Sequence, residues 1–248
     1  MMEGFKRYLV AATALLVAGC GGGGSSGPAA APGVFQAQGV AQGTTGQGYG
    51  DFAIILETGE FYNFTTASNI VLAVDHGTMN EAGDAYLANL TEFYVAANTV
   101  TTGTVTGVFT PQGAITGTTV FNLFQYTSFS ANYLASYNTA AALSALAGTY
   151  SGAYTYGGSP VTLAVSATGA ITGTAPNCAI SGTATPRASG KNIFDLSLTL
   201  TGANCTPAGV ATATGVAALN SVNGSTTLYT AGLNAAGTNG FFWVGTKQ

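Results

Sequence analysis

The sequence predicts an all-β protein: a small up-and-down antiparallel β-barrel at the C-terminus, preceded by a second β-rich domain, barrel or sandwich-like, and joined to it by a short helix. Three observations carry this expectation. Thr, Val, Tyr and Phe recur in short runs punctuated by 36 glycines, so the chain is written in strand formers and turn formers. After residue 147, eight such runs follow one another with short turns, the spacing of a meander. Charged residues make up only 6 % of the chain, against about 25 % in ordinary soluble domains. Open sheets guard their edges with lysine or proline, which are scarce here, whereas closing a sheet into a barrel removes the edges.

The first residues are of another kind. Lys6 and Arg7 precede the apolar run Tyr8–Ala18, which suits the hydrophobic region of a signal peptide. It falls short of the roughly 20 residues that cross a bilayer as a helix. Leu16-Val17-Ala18-Gly19-Cys20 resembles the lipobox of bacterial lipoproteins, in which the cysteine is lipidated and begins the mature chain. The resemblance implies a signal peptide over 1–19 and a palmitate-type anchor on Cys20. Two or more acyl chains hold stably where one holds only marginally. Gly21 stands where the resemblance associates aspartate with inner-membrane retention, so the expected location is the outer membrane, on its periplasmic face or at the cell surface. Residues 20–48 are rich in Gly, then Ala and Pro, then Gln and Gly, and read as a flexible linker.

An N-terminal β-rich domain follows over 49–137. "DFAIILETGEFYNFTT" is a strand-turn-strand broken at Thr58-Gly59, and "NIVLAVDHG" is a strand that ends in the polar loop Gly77 to Asp84. "AYLANLTEFYVAA" has helical propensity but is placed as a strand, before "TVTGVFT". Gly-Ala-Ile-Thr-Gly-Thr then occurs at 113–118 and again at 169–174. Each copy reads as a tight turn whose glycine takes positive φ, then a returning strand with isoleucine inward. Internal duplication and convergent turn chemistry both account for the repeat. Between the copies, Asn138 or Thr139 is placed to cap a helix through Ala140–Ala147, with Gly148 as its left-handed stop, which makes 138–147 a helical joint. The C-terminal barrel spans 148–248, from "GTYSGAYTY" through the strictly alternating "DLSLTL" to "GFFWVGTK".

With Cys20 assigned to lipid, Cys178 and Cys205 are an even pair in an exported chain and are expected to form a disulfide. Cys178 opens one strand and Cys205 follows another, so the bridge would staple neighbouring strands near a barrel rim. One histidine and two distant cysteines give no metal-ligand spacing, so neither metal nor cofactor is expected. Asp75, His76, Asn80, Glu81 and Asp84 gather in "DHGTMNEAGD", but not at EF-hand spacing, and no serine stands in a nucleophile-elbow setting. A solvated loop and no catalytic residue are the expectation there. Arg187 and Lys191 are candidate anion contacts within "PRASGKN", a stretch that also reads as a hairpin connection. Phe241-Phe242-Trp243 reads as a terminal core strand, with Phe241 and Trp243 on one face and Phe242 on the other.

"LAGTYSGAYTY", "VTLAVSATGAITGTAPNCAISGTATPRASGKNIFDLSLTLTGANC" and "GLNAAGTNGFFWVGTK" resemble a family of uncharacterised lipoproteins of Gram-negative bacteria. More distantly, a small barrel on a lipidated linker is similar to factor-H-binding and transferrin-binding-protein-like surface lipoproteins, a likeness of architecture that supplies no function. Removing residues 1–19 takes Glu3, Lys6 and Arg7 from nine acidic and five basic residues and leaves a net charge of −5. Such a chain has no electrostatic footprint for nucleic acid and no polybasic patch for anionic lipid. Its short, Thr- and Gly-dense strands point to the lipid anchor, not a spanning barrel, as the membrane contact.

The expected function is that of a lipid-anchored, noncatalytic interaction or structural β-domain protein of the envelope, with a protein or glycan partner. The alternative is a barrel that binds a small apolar or glycan ligand in its lumen or mouth. A packed interior favours the first and an enclosed cavity of about 300 Å³ or more the second. Pocket-lining acids with strongly perturbed pKa values would point instead to an enzyme.

Overall fold

The computed structural model describes residues 35–95, 97–121, 125–153, 160–175, 177–202, 205 and 210–248. The expected signal peptide, the lipobox with Cys20 and residues 20–34 of the expected linker lie outside them. Eight strands form the first sheet: β1 (Gly39–Thr45), β2 (Gly50–Ile55), β3 (Glu60–Ala67), β4 (Ile70–Ala82), β5 (Ala85–Tyr94), β6 (Thr99–Phe109), β7 (Ala114–Phe121) and β8 (Gln125–Tyr133). Each pairs antiparallel with the next, and β8 returns to β1 to close a barrel. The second sheet repeats the plan with β9 (Gly148–Ala153), β10 (Pro160–Val165), β11 (Ala170–Ala175), β12 (Cys178–Pro186), β13 (Ile193–Thr201), β14 (Thr212–Val222), β15 (Ser225–Leu233) and β16 (Gly240–Lys247), closed by β16 on β9. The protein is thus all-β, and the N-terminal half is a barrel, not a sandwich.

Three boundaries differ from the sequence reading. β1 lies inside the expected linker. Its "GVAQGTT" has few large side chains because it closes the barrel at close quarters: a Cβ on Gly43 would collide with the Ser130 carbonyl of β8. Strand β4 continues through the expected polar loop as far as Ala82, because Gly77, Met79 and Glu81 are in register with β5, and the chain turns only at Gly83, with φ +68°. The expected helix over 140–147 is reduced to one turn, α1 (Leu143–Leu146), preceded by a 3₁₀ turn at Ala135–Asn138. Residue Ala142 precedes α1 and offers no side-chain cap, so neither Asn138 nor Thr139 starts the helix.

The repeated hexapeptide opens β7, seventh strand of the first barrel, and β11, third strand of the second. Gly169 takes φ +84° as expected, whereas at the first copy Gln112, not Gly113, holds the left-handed position. Ile115 and Ile171 both point into their barrels. The copies occupy different ranks in the two meanders.

Three apolar clusters hold the molecule. One fills the second barrel with Tyr150, Leu163, Phe194, Leu198, Phe241 and Trp243, and α1 sits against it, its Leu146 carbonyl accepting the Tyr150 hydroxyl at 2.7 Å. A second occupies the first barrel's lumen around Ile55, Phe61, Leu90, Val105 and Ile115. The third lies between the barrels, where outward residues of β2, β3, β4 and β5 meet those of β14, β15 and β16. There Phe52 stacks on Tyr229 at 3.7 Å between ring centres, and Phe93 meets Phe242 at 5.0 Å. As expected, Phe242 thus faces away from Phe241 and Trp243.

Cys178 and Cys205 are bonded, with Cα atoms 4.8 Å apart, and tie the start of β12 to the segment after its neighbour β13. A cross-link across 27 residues contributes about 3.5 kcal/mol in the chain-entropy model. The Cys178→Ala/Cys205→Ala double variant is therefore expected to melt roughly 10 °C lower than the oxidised protein. Circular dichroism melts would check this, and coincident curves would remove the bridge from the account of stability.

Candidate functional site

The first barrel has two unlike ends. At one end, the floor, inward residues are apolar and the chain arrives from residue 35. The carboxylate of Glu81 receives the backbone N–H groups of Gln36 and Ala37 there, and Phe35 packs against the lumenal cluster. At the other end, the mouth, a cavity of about 310 Å³ opens, bounded by the β1–β2 turn and the upper halves of β2 to β5, β7 and β8.

Period-two alternation builds the polar wall of this cavity. Asp51 precedes Phe52, Asn63 lies between Tyr62 and Phe64, Asp75 follows Val74, and Glu92 precedes Phe93. Those five apolar and aromatic neighbours all belong to the cluster between the barrels. With the neighbours committed outward, the polar residues must point inward. Strand register then sets them in rows. Asn63, Asp75 and Glu92 are successive cross-strand partners, and Asp51, Thr65, Ala73 and Tyr94 form the next row toward the mouth. A bulge assists: pairing shifts between Thr65 and Thr66, leaving Leu72 without a partner on β3 at the rim, where it lines the cavity. Thr119, Phe121, Thr127 and Phe129 form the facing wall.

The acids are buried without enough partners. Asp51 is 2 % exposed and Asp75 8 %. Asn63 donates through Nδ2 to Asp51 Oδ1 at 2.9 Å, but Asp51 Oδ2, Asp75 Oδ1 and Asn63 Oδ1 receive no hydrogen bond from the protein. Burial pushes the Asp51 carboxyl up to about 6 against the opposing effect of Asn63. Burial also carries Asp75 well above the usual carboxylate range, helped by the charges of Glu92 and Asp51, and it raises Glu92. Carboxylates directly opposite each other on a sheet repel, so Asp75 beside Glu92 favours either a proton or a cation between them.

The residues singled out in sequence are scattered by the fold. Alternation sends Asp75 into the lumen and His76 outside, where His76 Nε2 lies 3.1 Å from Glu60 Oε1, so the two form no dyad. The side chain of Glu81 serves the floor, and the expected solvated loop is strand up to Ala82. Arg187 and Lys191 share the β12–β13 hairpin but make no common anion clamp. Arg187 Nε donates to both Glu57 carboxylate oxygens at 3.0 and 3.2 Å, and Nη1 donates to Asp195. Glu57 belongs to the β2–β3 turn, so this pair links the two barrels. Burial opposes ionisation of Glu57, but the Arg187 hydrogen bonds and charge bring its carboxyl below the ordinary value. Lys191 Nζ donates instead to Asn138 Oδ1 at 3.0 Å and lies over the Tyr137 ring. Asp51, Asn63 and Glu92 were not singled out from sequence. Their signal was a polar residue directly before a phenylalanine within a strand.

No protein-family model, curated protein or solved structure matches the chain.

The raised acids fix a pH dependence. A carboxyl whose folded pKa lies above its unfolded value binds its proton more tightly in the folded state, so stability rises as pH falls through that interval. For Asp51 the interval runs from the ordinary 3.8 to about 6, worth about 3 kcal/mol, and Asp75 and Glu92 shift the same way. Glu57 and Glu60 are lowered, Glu60 chiefly by its hydrogen bond with His76, and their contribution is lost only below about 4.5. The ligand-free protein is expected to melt higher at pH 5 than at pH 7.5, and Asp51→Asn to melt higher than wild type at pH 7.5 with a flatter profile. Calorimetric scans across pH check both. A wild-type profile that falls steadily from pH 7.5 to 5 would contradict them.

Proposed function

We propose that this chain is a lipid-anchored, noncatalytic binding protein of the bacterial outer membrane, whose first barrel takes a small ligand into its mouth. The observation that carries the reading is the cavity of about 310 Å³, polar on one wall and aromatic on the other, in a barrel whose neighbour is filled. Its buried polar wall favours a polar ligand over an apolar one, because apolar contact would leave the orphan acceptors desolvated. The lipobox and Gly21 support the anchor and its membrane. Since the chain joins the first barrel at its floor, the mouth lies at the far end from that junction.

Two other readings draw on particular observations. An interaction domain is favoured by the outer face of β5 and β6, where Leu87 and Val108 are 51 % and 52 % exposed beside the shallow groove of Asn89, Thr91, Thr102 and Thr104. An enzyme is favoured by the raised carboxyls in the cavity, but acid–base pairs work by having their pKa values pushed apart. Here burial moves all three acids in one direction.

Two experiments test the proposal. Cys20→Ala should abolish palmitate labelling and release the protein from the membrane fraction; unchanged labelling would end the anchor reading. A melting-shift screen of the full chain against amines, sugars and carboxylates should find stabilising solutes, and Thr127→Trp, which fills the mouth, should cancel them. Shifts that survive in Thr127→Trp would place binding elsewhere.

A further inference from the structure

We propose that the mouth of the first barrel receives a small organic ammonium or guanidinium, held by its protonated nitrogen between Asp51, Asp75 and Glu92. This rests on the small-ligand reading and names the ligand's chemistry.

The cavity has a deficit of hydrogen-bond donors. Asp51 Oδ2, Asp75 Oδ1 and Asn63 Oδ1 are buried acceptors without donors, all three residues line the same cavity, and an unmet buried acceptor is destabilising. A ligand that fits them must donate several hydrogen bonds. Water can donate too, but it cannot neutralise two adjoining carboxylates.

The described residues also supply no counter-charge inside the cavity. The titratable groups that face the site are Asp51 from β2, Asp75 from β4, Glu92 and Tyr94 from β5, Tyr49 from the β1–β2 turn, and Tyr86 beneath; β3 supplies Asn63 and Thr65, and β7 supplies Thr119. Every basic side chain among the described residues is engaged outside the lumen: Arg187 on Glu57 and Asp195, Lys191 on Asn138, Lys247 on the Ala145 carbonyl, and His76 on Glu60. The protein provides no cation for this site, so its acids either keep a proton or take their counter-charge from a ligand.

The remaining walls choose among cations. Tyr49, Tyr94, Phe121 and Phe129 surround the opening, and aromatic faces attract organic cations. Calcium asks for six to eight oxygens at about 2.3–2.6 Å. Among the described residues, no three His, Cys, Asp or Glu side chains are grouped to hold a metal ion. An alkyl- or arylammonium uses both the acceptors and the rings.

Isothermal titration of the full chain with benzylamine, putrescine and guanidinium, against benzyl alcohol, benzoate and Ca²⁺, tests this. The amines should bind saturably at pH 7.5, and the alcohol and benzoate should not. Affinity should fall about tenfold by pH 5, where a carboxyl titrating near 6 is mostly protonated while the amines keep their charge. Asp51→Asn and Asp75→Asn should each weaken binding at least about tenfold while melting no lower than wild type without ligand, which separates lost recognition from lost folding. Equal binding of benzyl alcohol or benzoate, blocked by Thr127→Trp, would keep the small-ligand reading and overturn the cation assignment. Calcium displacing the amines, or amine affinity unchanged in both variants, would overturn it as well. Should no compound in the panel bind, both readings fall.

Discussion

Strands buried on both faces are the constraint on which the rest of this structure depends. Along β2 and β3, and along β4 and β5 toward the mouth, one set of alternate residues faces the lumen and the other faces the second barrel, so neither set is free to move. Phe52, Phe64, Val74 and Phe93 are held by Tyr229, Phe242 and their neighbours. Asp51, Asn63, Asp75 and Glu92 are therefore held in the lumen, since a slip of one residue would reverse every side chain at once. The interface between the barrels thereby maintains an acidic lumen that would be costly for an isolated barrel to keep.

The two barrels share closure and strand number but solve the interior differently. In the second, large side chains fill the lumen: Tyr150, Phe194, Phe241 and Trp243 are all at most 1 % exposed. An eight-stranded barrel is just wide enough for side chains to fill, so small substitutions decide whether space remains. In the first barrel, Phe61, Met79 and Leu90 fill the floor, while toward the mouth the inward positions pass to Asp, Asn, Thr and Ala. That change of side-chain size and polarity along the same strands makes one end a core and the other a recess.

Scarcity of charge shapes the exterior as well. With few lysines to protect sheet edges, the chain leaves neither sheet open. Arg187 bridges Glu57 across the two barrels, and Asn220 Nδ2 donates to Gln42 Oε1 across them at 3.1 Å. A partly buried pair of this kind specifies how two apolar surfaces meet more than it strengthens them.

All eight strands of the second barrel were legible in the sequence, because turn residues separate runs with clear alternation, and so was the pairing of Cys178 with Cys205, by elimination. Strand β1 was not, since its small residues answer to the approach of β8, a contact 88 residues distant in the chain at Gly43 and Ala131. Nor was the acidic wall. Within a strand, Asp51 or Asp75 beside a large apolar residue reads as a solvent-facing position, the ordinary pattern of a half-buried sheet. Sequence by itself determined which residues alternate, where the chain turns, and that one class of side chain lies opposite the other. Only the tertiary structure decided which face was wet, because that depended on a second barrel covering the apolar side and leaving the polar side to line a cavity that opens at the mouth.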